Sequence, residues 1–206
     1  MKVLAINGSP KENGSTASAL RFMAETLAGA GIETEIAHIG KGPVQGCTGC
    51  NGCDETRDGK CIYNDNINAA FDKLNAADGL ILGAPTYYGG IAGGAKSAFD
   101  RLFYMGADLK GKPAAAITVA RRSGGEDTFH QLNSYLTLSG AVIAPSTYWN
   151  VIHGNSGEEI MRDTEGVRIL RCVCESMAWL LNIIHAAKNS VPFPEMKRDA
   201  WMNFIR

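Results

Sequence analysis

The sequence predicts an α/β protein with a doubly wound parallel sheet of five strands and helices on both faces. Short apolar runs, typical of strands buried on both sides, alternate with segments in which apolar residues recur at helical spacing. This alternation occurs five times, and it favours a parallel sheet with right-handed crossovers. A chain of 206 residues has room for one such domain and for insertions into it.

The predicted elements follow this alternation along the chain, with two departures. Strands are predicted at 2–7, 34–39, 79–84, 114–120 and 140–145, and helices at 16–28, 67–77, 92–103, 127–138 and 165–187. The domain is expected to span 1–190. The departures are a glycine-rich insertion at 40–66, which contains four cysteines, and a proline-containing tail at 191–206. Insertions of this length are usually functional.

Composition and charge argue against several classes of protein. A formal net charge of -1 and a pI of about 6.4 provide no basic excess for binding nucleic acid. No stretch approaches the roughly 18 apolar residues of a membrane helix, and the first apolar run is too short for a signal peptide. We therefore expect a cytoplasmic protein whose six cysteines are reduced, as ligands or bystanders rather than in disulfides.

A glycine-rich loop follows the first strand and leads into the first helix. Its candidate ligand-binding residues are Ser9, Lys11, Asn13, Ser15, Thr16 and Ala17. The free N–H groups at a helix N-terminus, with hydroxyl groups and a lysine beside them, suit a phosphate. The Walker A spacing fails because its second glycine falls on Asn13, and the dinucleotide spacing fails at Pro10. A terminal monophosphate such as that of FMN fits the loop, and a plain turn capped by Ser15 or Thr16 is the alternative.

Several motifs resemble those of NADPH-dependent FMN reductases and iron–sulfur flavoproteins. Residues 7–16 resemble the N-terminal signature of the family, with Lys11 in place of the usual Arg and Gly14-Ser15-Thr16 in place of Gly-Asn-Thr. Further similar motifs are the second flavin loop at 83–90, a helix motif at 96–101, the third loop at 121–126 and the tail at 203–206. The resemblance implies a flavodoxin-like fold with strand order 2-1-3-4-5 and an FMN site formed by the three loops.

The second loop is a candidate seat for the flavin ring. It comprises Pro85, Thr86, Tyr87, Tyr88 and Gly89. We expect Pro85 to end the third strand and Gly89 to let the backbone approach a planar ring. Tyr87 or Tyr88 can stack on that ring, and surface aromatics at a turn are the alternative interpretation.

The third loop follows the fourth predicted strand. Its candidate residues are Arg121, Ser123, Gly124 and Gly125. They are placed to hydrogen-bond the pyrimidine edge of a flavin, where a positive group would stabilise the anionic reduced form. Trp149 follows the fifth predicted strand, where it can approach the flavin or an oligomer partner, and simple burial is an equal alternative.

Four cysteines in the insertion have the spacing C-x2-C-x2-C-x7-C. These are Cys47, Cys50, Cys53 and Cys61, and small residues fill the first two gaps. Ligation by four cysteines is the norm for a 4Fe-4S cluster, whereas zinc sites usually combine two separated C-x2-C pairs. The motif also resembles the compact cluster motif of iron–sulfur flavoproteins. We expect a cluster, with zinc and a metal-free isolated protein as alternatives, because an exposed cluster can be lost in air.

Together these features predict an FMN-dependent oxidoreductase. Reduced nicotinamide or a ferredoxin-like donor would supply electrons, and the flavin would carry the chemistry, so no side chain need act as a nucleophile. The resemblance implies that NAD(P)H docks transiently and that the protein forms a dimer or tetramer; the electron acceptor is left open. The alternatives are an electron carrier, a cluster-free flavin or quinone reductase, and a regulatory protein with a dead site. Flavodoxins themselves are strongly acidic, unlike this nearly neutral chain.

Overall fold

A computed structural model describes residues 1–197 of the chain. The strands are β1 (Lys2–Asn7), β2 (Glu33–His38), β3 (Gly79–Tyr87), β4 (Gly90–Ile91), β5 (Pro113–Ala120), β6 (Val142–Ile143) and β7 (Val151–His153). The helices are α1 (Ser15–Gly29), α2 (Gly52–Glu55), α3 (Asn66–Ala76), α4 (Gly93–Tyr104), α5 (Gly125–Leu138), α6 (Gly157–Ile160) and α7 (Thr164–Ala187). Among these helices, none is both long and apolar enough to cross a lipid bilayer.

The main sheet is parallel, with the order β2-β1-β3-β5-β6. This is the predicted order 2-1-3-4-5, so the predicted fold class is confirmed. The right-handed crossovers place α1 and α7 on one face of the sheet and α3, α4 and α5 on the other. Side chains along β1 alternate accordingly, with Val3 and Ala5 facing the first pair of helices and Leu4 and Ile6 facing the other three.

Of the fifth predicted strand, 140–145, only β6 forms, and β7, which was not predicted, lies farther along the same edge of β5. Strand β6 pairs with the start of β5 and β7 pairs with its end. Asn150, in the connecting segment, donates from Nδ2 to the carbonyl of Ala116 at 2.9 Å and accepts from the Thr118 N–H at 3.0 Å. These bonds satisfy the polar groups of β5 where no partner strand lies beside it.

Strand β3 is longer than predicted. Pro85 was expected to end it, but the strand continues to Tyr87 and turns back into β4. Pro85 remains in register with Val119 of β5, and its carbonyl accepts from the N–H of Ala92 at 3.3 Å. A proline removes only the donor of its own residue, so it need not terminate a strand.

The described part of the tail packs against the edge of the sheet at which β5 begins. A Cβ atom at Gly111 would lie 2.7 Å from the ring of Phe193, and one at Gly140 would lie 3.1 Å from the sulfur of Met196. The tail motif at 203–206 lies outside the described residues.

Candidate functional site

Three loops gather at the edge of the sheet formed by the carboxyl ends of the strands. They are loop one (residues 8–14), loop two (residues 88–89) and loop three (residues 121–124). The N–H of Gly8 donates to the carbonyl of Gly83 at 2.8 Å, which ties the start of loop one to β3. A Cβ atom at Gly124 would lie 2.9 Å from Cα of Gly89, so loops two and three are in backbone contact. The predicted site residues therefore lie at one edge, where ligands bind in open α/β sheets.

Loop one is held by polar contacts at the end of β1. Asn7 is buried; its Oδ1 accepts from the N–H of Ser9 at 3.0 Å, and its Nδ2 donates to the carbonyl of Glu12 at 3.3 Å. His38 Nε2 hydrogen-bonds the carbonyl of Ser9 at 2.7 Å. A Cβ atom at Gly40 would lie 2.3 Å from the carbonyl oxygen of Gly8, so glycine is required there. No motif in the sequence indicates that Asn7, His38 or Gly40 supports this loop.

The start of α1 offers free hydrogen-bond donors. Its N-cap residue is Gly14, which has no side chain with which to cap the helix, and its first turn contains no acidic residue. The predicted alternative, a helix capped by Ser15 or Thr16, is therefore wrong. By contrast, the side chains of Asp65 and Asp163 cap α3 and α7. An uncapped helix start leaves backbone N–H groups and the positive end of the helix dipole facing the loop.

The side chains of loop one differ in exposure. Ser9, Thr16 and Ala17 are buried, whereas Lys11 and Asn13 are exposed. The Ser9 hydroxyl accepts from the N–H of Lys11 at 3.1 Å, and Asn13 Oδ1 accepts from Arg21 at 3.4 Å. The Lys11 side chain runs beside Gly14, the N-cap of α1, where a Cβ atom would lie 3.6 Å from its Cδ, and a cation next to a helix start favours an anion there.

Loop two is a tight hairpin turn that joins β3 and β4. Tyr88 and Gly89 both have positive φ, 51° and 75°, as in a type I′ turn. Positive φ costs a non-glycine residue roughly 1–2 kcal/mol, and the Tyr88 side chain is fully exposed. Gln131 supports the hairpin by accepting from the N–H of Ile91 at 3.2 Å. Backbone strain at an exposed aromatic residue is typical of a functional position.

The ends of β3 and β5, which lead into loops two and three, share polar contacts. The Thr86 hydroxyl lies 3.0 Å from that of Thr118, which also donates to the carbonyl of Ala84 at 3.0 Å. Arg121 and Ser123 are exposed, and Gly124 adopts a φ of 82°. The Trp149 ring packs 4.8 Å from that of Tyr148 and retains 39% of its exposure, so simple burial does not explain it.

The four cysteines of the insertion line one small cavity beside the end of α4. The cavity is also lined by Arg101, Tyr104 and Met105. All four cysteines are free; Cys47 and Cys50 are exposed, and Cys53 and Cys61 are half-buried. Within residues 1–197, no three His, Cys, Asp or Glu side chains converge closely enough to hold a metal ion. The four cysteines therefore supply the sulfur donors that a cluster requires, and they line one cavity. They do not form a closed coordination shell.

The environments of the cysteine thiols differ. Hydrogen bonding to the backbone of Gly52 and to the Thr48 side chain lowers the pKa of the Cys50 thiol. Burial raises the pKa of the Cys53 thiol, and the Asp54 carboxylate adds to this effect. The thiolate form is therefore more favoured at Cys50 than at Cys53.

The insertion runs along α4 from loop one to the cysteine cavity. A Cβ atom at Gly94 would lie 3.7 Å from the carbonyl oxygen of Gly40, and one at Gly46 would lie 3.5 Å from the Ser97 hydroxyl. At the far end, Tyr104 donates to Oδ1 of Asn51 at 2.7 Å. At 1.5 Å per residue, about 17 Å of helix separates the start of α4 from its end. The two candidate sites thus lie at opposite ends of α4.

Sequence comparison identifies relatives of this chain. A sequence model of the family described as NADPH-dependent FMN reductase matches residues 1–156. An iron–sulfur flavoprotein of Methanocaldococcus jannaschii is 33% identical over 161 residues, which cover 76% of this chain and 82% of that protein. A second iron–sulfur flavoprotein of the same organism is 31% identical over 186 residues, covering 83% of this chain and 92% of that protein.

Structural comparison extends the likeness to the fold. The structure of RosB with bound 8-demethyl-8-formylriboflavin-5'-phosphate matches with a TM-score of 0.71 and 15% identity, covering 100% of this chain and 94% of that one. An identity this low shows a shared fold alone. With the match over residues 1–156 and the relatives above 30% identity, the chain belongs to the NADPH-dependent FMN reductase and iron–sulfur flavoprotein family and is an oxidoreductase.

Proposed function

We propose that this protein is a cytoplasmic oxidoreductase that binds FMN at the three loops and a 4Fe-4S cluster at Cys47, Cys50, Cys53 and Cys61. It would move electrons between a reduced donor, FMN, the cluster and an acceptor, with NAD(P)H as a transient co-substrate. The FMN-binding domain would span 1–190, with 191–206 as a tail. The FMN-binding residues would be Ser9, Lys11, Asn13, Ser15, Thr16, Ala17, Pro85, Thr86, Tyr87, Tyr88, Gly89, Arg121, Ser123, Gly124 and Gly125.

The observation that carries the proposal is the meeting of three loops beside an uncapped helix start. In the first turn of α1, the N–H groups would donate to the phosphate, and Lys11 would offset its charge. Ser15 and Thr16 would add hydroxyl donors. The backbone contact between Gly89 and Gly124 would leave the surface where loops two and three meet open to a flavin ring, because neither glycine has a side chain.

When bound, FMN would supply the redox chemistry, and the protein would supply position and electrostatics. Tyr87 and Tyr88 would exclude water from one side of the ring, because both are exposed beside the hairpin turn. Arg121 would place a positive charge at the pyrimidine edge and hold negative charge there. Each of these roles is binding or orientation, so we assign no catalytic acid, base or nucleophile.

The separation of the two sites favours an oligomer. The flavin edge lies beside the start of α4 and the cysteine cavity beside its last turn, and the helix between these two ends is about 17 Å long. Electron transfer weakens steeply with distance. A second copy that brings its own flavin edge close to the cavity would shorten that path. We therefore include a homodimer or tetramer in the proposal.

The first experiment tests cofactor content in protein purified without oxygen. We expect flavin absorbance bands together with about four irons and four sulfides per chain. Serine variants of Cys47 and Cys50 should lose the iron and keep the flavin. Cys172→Ser is the matched control, because Cys172 lies on α7 away from the cavity, and it should keep both. Iron retained in the Cys47 and Cys50 variants would contradict the cluster assignment.

The second experiment tests electron flow by stopped-flow mixing. We expect NADPH or NADH to bleach the flavin absorbance within the time of one catalytic turnover. No bleaching by either nucleotide, with rapid reduction by ferredoxin, would overturn the reductase proposal in favour of an electron carrier. Failure to turn yellow after reconstitution with FMN would favour a protein with a dead site.

A further inference from the structure

Arg101 occupies an unusual position beside the cysteine cavity. It lies in α4, is only 1% exposed, and is the largest of the fully buried side chains within residues 1–197. Buried arginines are rare unless their donors are satisfied, because removing a guanidinium from water is costly. Its partners therefore indicate what it does.

Four of the five N–H groups of Arg101 join the two ends of the cysteine segment. Nη1 donates to Asp65 Oδ2 at 2.5 Å and to the carbonyl of Gln45 at 3.4 Å. Nη2 donates to Asp65 Oδ1 at 3.0 Å and to the carbonyl of Tyr63 at 3.1 Å. Gln45 precedes the first cysteine, and Tyr63 and Asp65 follow the last. One side chain thus closes the base of the segment that contains all four cysteines.

The fifth N–H group, on Nε, is buried and has no acceptor among the described residues. The guanidinium lines the same cavity as the four cysteines. A buried donor without an acceptor costs about 1–3 kcal/mol, so a bound group that supplies one would be favoured there. Thiolate sulfurs are acceptors of this kind.

Cys61 lines the same cavity as Arg101. The Cys61 backbone is itself held, because its N–H donates to Oδ1 of Asn68 at 3.2 Å and its carbonyl accepts from the Asn68 side chain at 2.9 Å.

We propose that Arg101 is the positioning residue of the cysteine site, closing the base of the segment and donating its Nε hydrogen to a ligating cysteine sulfur. The inference rests on the proposed cluster function. It assigns to Arg101 two effects on the bound centre: tighter retention of the metal, and a higher reduction potential, because positive charge and hydrogen bonds to sulfur favour the reduced state.

The test compares Arg101→Met and Arg101→Lys with Arg57→Met. Arg57 lies on the same segment, between Cys53 and Cys61, and is exposed, so its loss removes an equal charge outside the cavity. Apoprotein is titrated with Co²⁺, and the thiolate-to-cobalt absorbance gives the dissociation constant. We expect Arg101→Met to weaken binding by about 10–100-fold, as loss of a residue supporting a metal ligand does. Arg57→Met should bind as the unchanged protein does.

The reduction potential of the reconstituted cluster separates positioning from simple support of the fold. Arg101→Lys keeps the charge and loses the fork and the Nε hydrogen, so we expect a more negative potential with unchanged FMN affinity. If Arg101→Met does not fold, the potential of Arg101→Lys decides. If the Arg101 variants have the same cobalt affinity and reduction potential as Arg57→Met, the proposal is overturned.

The outcomes also separate this inference from the function on which it rests. If the unchanged protein binds no Co²⁺ through its cysteines, the cluster assignment and the role of Arg101 fall together, while reduction of FMN by NADPH is unaffected. If it binds Co²⁺ and the Arg101 variants do so equally well, the role of Arg101 alone is refuted.

Discussion

Replacing Gly124 by alanine would disturb the backbone contact on which the candidate flavin site depends. Gly124 has a φ of 82°, and an added Cβ would lie 2.9 Å from Cα of Gly89. Ordinary contact begins at 3.4 Å, so loops two and three would have to separate by about 0.5 Å. A binding site typically tolerates displacements of no more than about 0.5 Å. The substitution therefore tests whether this contact positions a ligand.

The cost of Gly124→Ala has two parts, which a control variant can separate. Positive φ costs alanine about 1–2 kcal/mol, and overpacking adds about 1–3 kcal/mol. Gly31 has a φ of 74° with no atom within 4 Å of an added Cβ, so Gly31→Ala carries the first cost without the second. We expect Gly124→Ala to lower the free energy of unfolding by about 2–5 kcal/mol and Gly31→Ala by about 1–2 kcal/mol.

The assay is titration of apoprotein with FMN, followed by quenching of flavin fluorescence. We expect the dissociation constant of Gly124→Ala to rise about tenfold or more, equivalent to about 1.4 kcal/mol. Gly31→Ala should bind within about twofold of the unchanged protein, because Gly31 lies in the turn after α1, at the other edge of the sheet. Equal FMN affinities in the two variants would refute a flavin seat between loops two and three.

Three further predictions concern single side chains. Lys11→Met should weaken FMN binding by about 1.5–3 kcal/mol and leave riboflavin binding unchanged, since riboflavin lacks the phosphate; equal losses for both ligands in calorimetry would contradict a phosphate role. Burial and a hydrogen bond to Asp100 raise the pKa of Tyr135 to about 12, above the ordinary 10.0, so the folded state favours the neutral phenol. That contribution to stability is complete below pH 10 and is lost as the pH rises to about 12. The free energy of unfolding, measured with urea, should therefore fall less steeply over this range in Tyr135→Phe than in the unchanged protein. In apoprotein treated with iodoacetamide, Cys50 should be modified before Cys174, whose pKa burial raises to about 12, and mass spectrometry showing the reverse order would refute this.

The fold could be predicted from the sequence because its signals are local. Continuous apolar runs and helical spacing identify buried strands and helices, and the alternation of the two determines a parallel sheet. Two details depended on tertiary contacts. Pro85 does not end β3, since β5 pairs with that strand as far as Pro85 and β4 pairs with the two residues beyond it. The fifth strand is interrupted, since the Asn150 side chain replaces a stretch of strand pairing.

Candidate ligand-binding residues could be predicted from the sequence, because their residue types imply the chemistry. Residues that support the site through contacts with other side chains were missed. Cysteines and a hydroxyl-rich loop indicate ligands directly. His38 and Arg101 act through partners that are distant in sequence, such as Ser9, which lies 29 residues before His38. An asparagine directly before Gly8, at the end of an apolar strand, was the available signal for Asn7. Arg101 ends the helix motif at 96–101, but that motif does not indicate its role, because its partners come from the insertion and from the N-cap of α3.

The capping of the helices separates structural ends from candidate ligand-binding ends. Side chains cap α3, α6 and α7 through Asp65, Ser156 and Asp163. The other helix starts, those of α1, α2, α4 and α5, have no side-chain cap. Of these, α1, α4 and α5 begin at the edge where the three loops meet, and α2 lies among the cysteines. A missing side-chain cap costs about 1 kcal/mol of stability, and an anion bound at α1 would offset that cost. Helix starts without a side-chain cap therefore occur at both candidate sites, which is where local preferences are expected to give way to function.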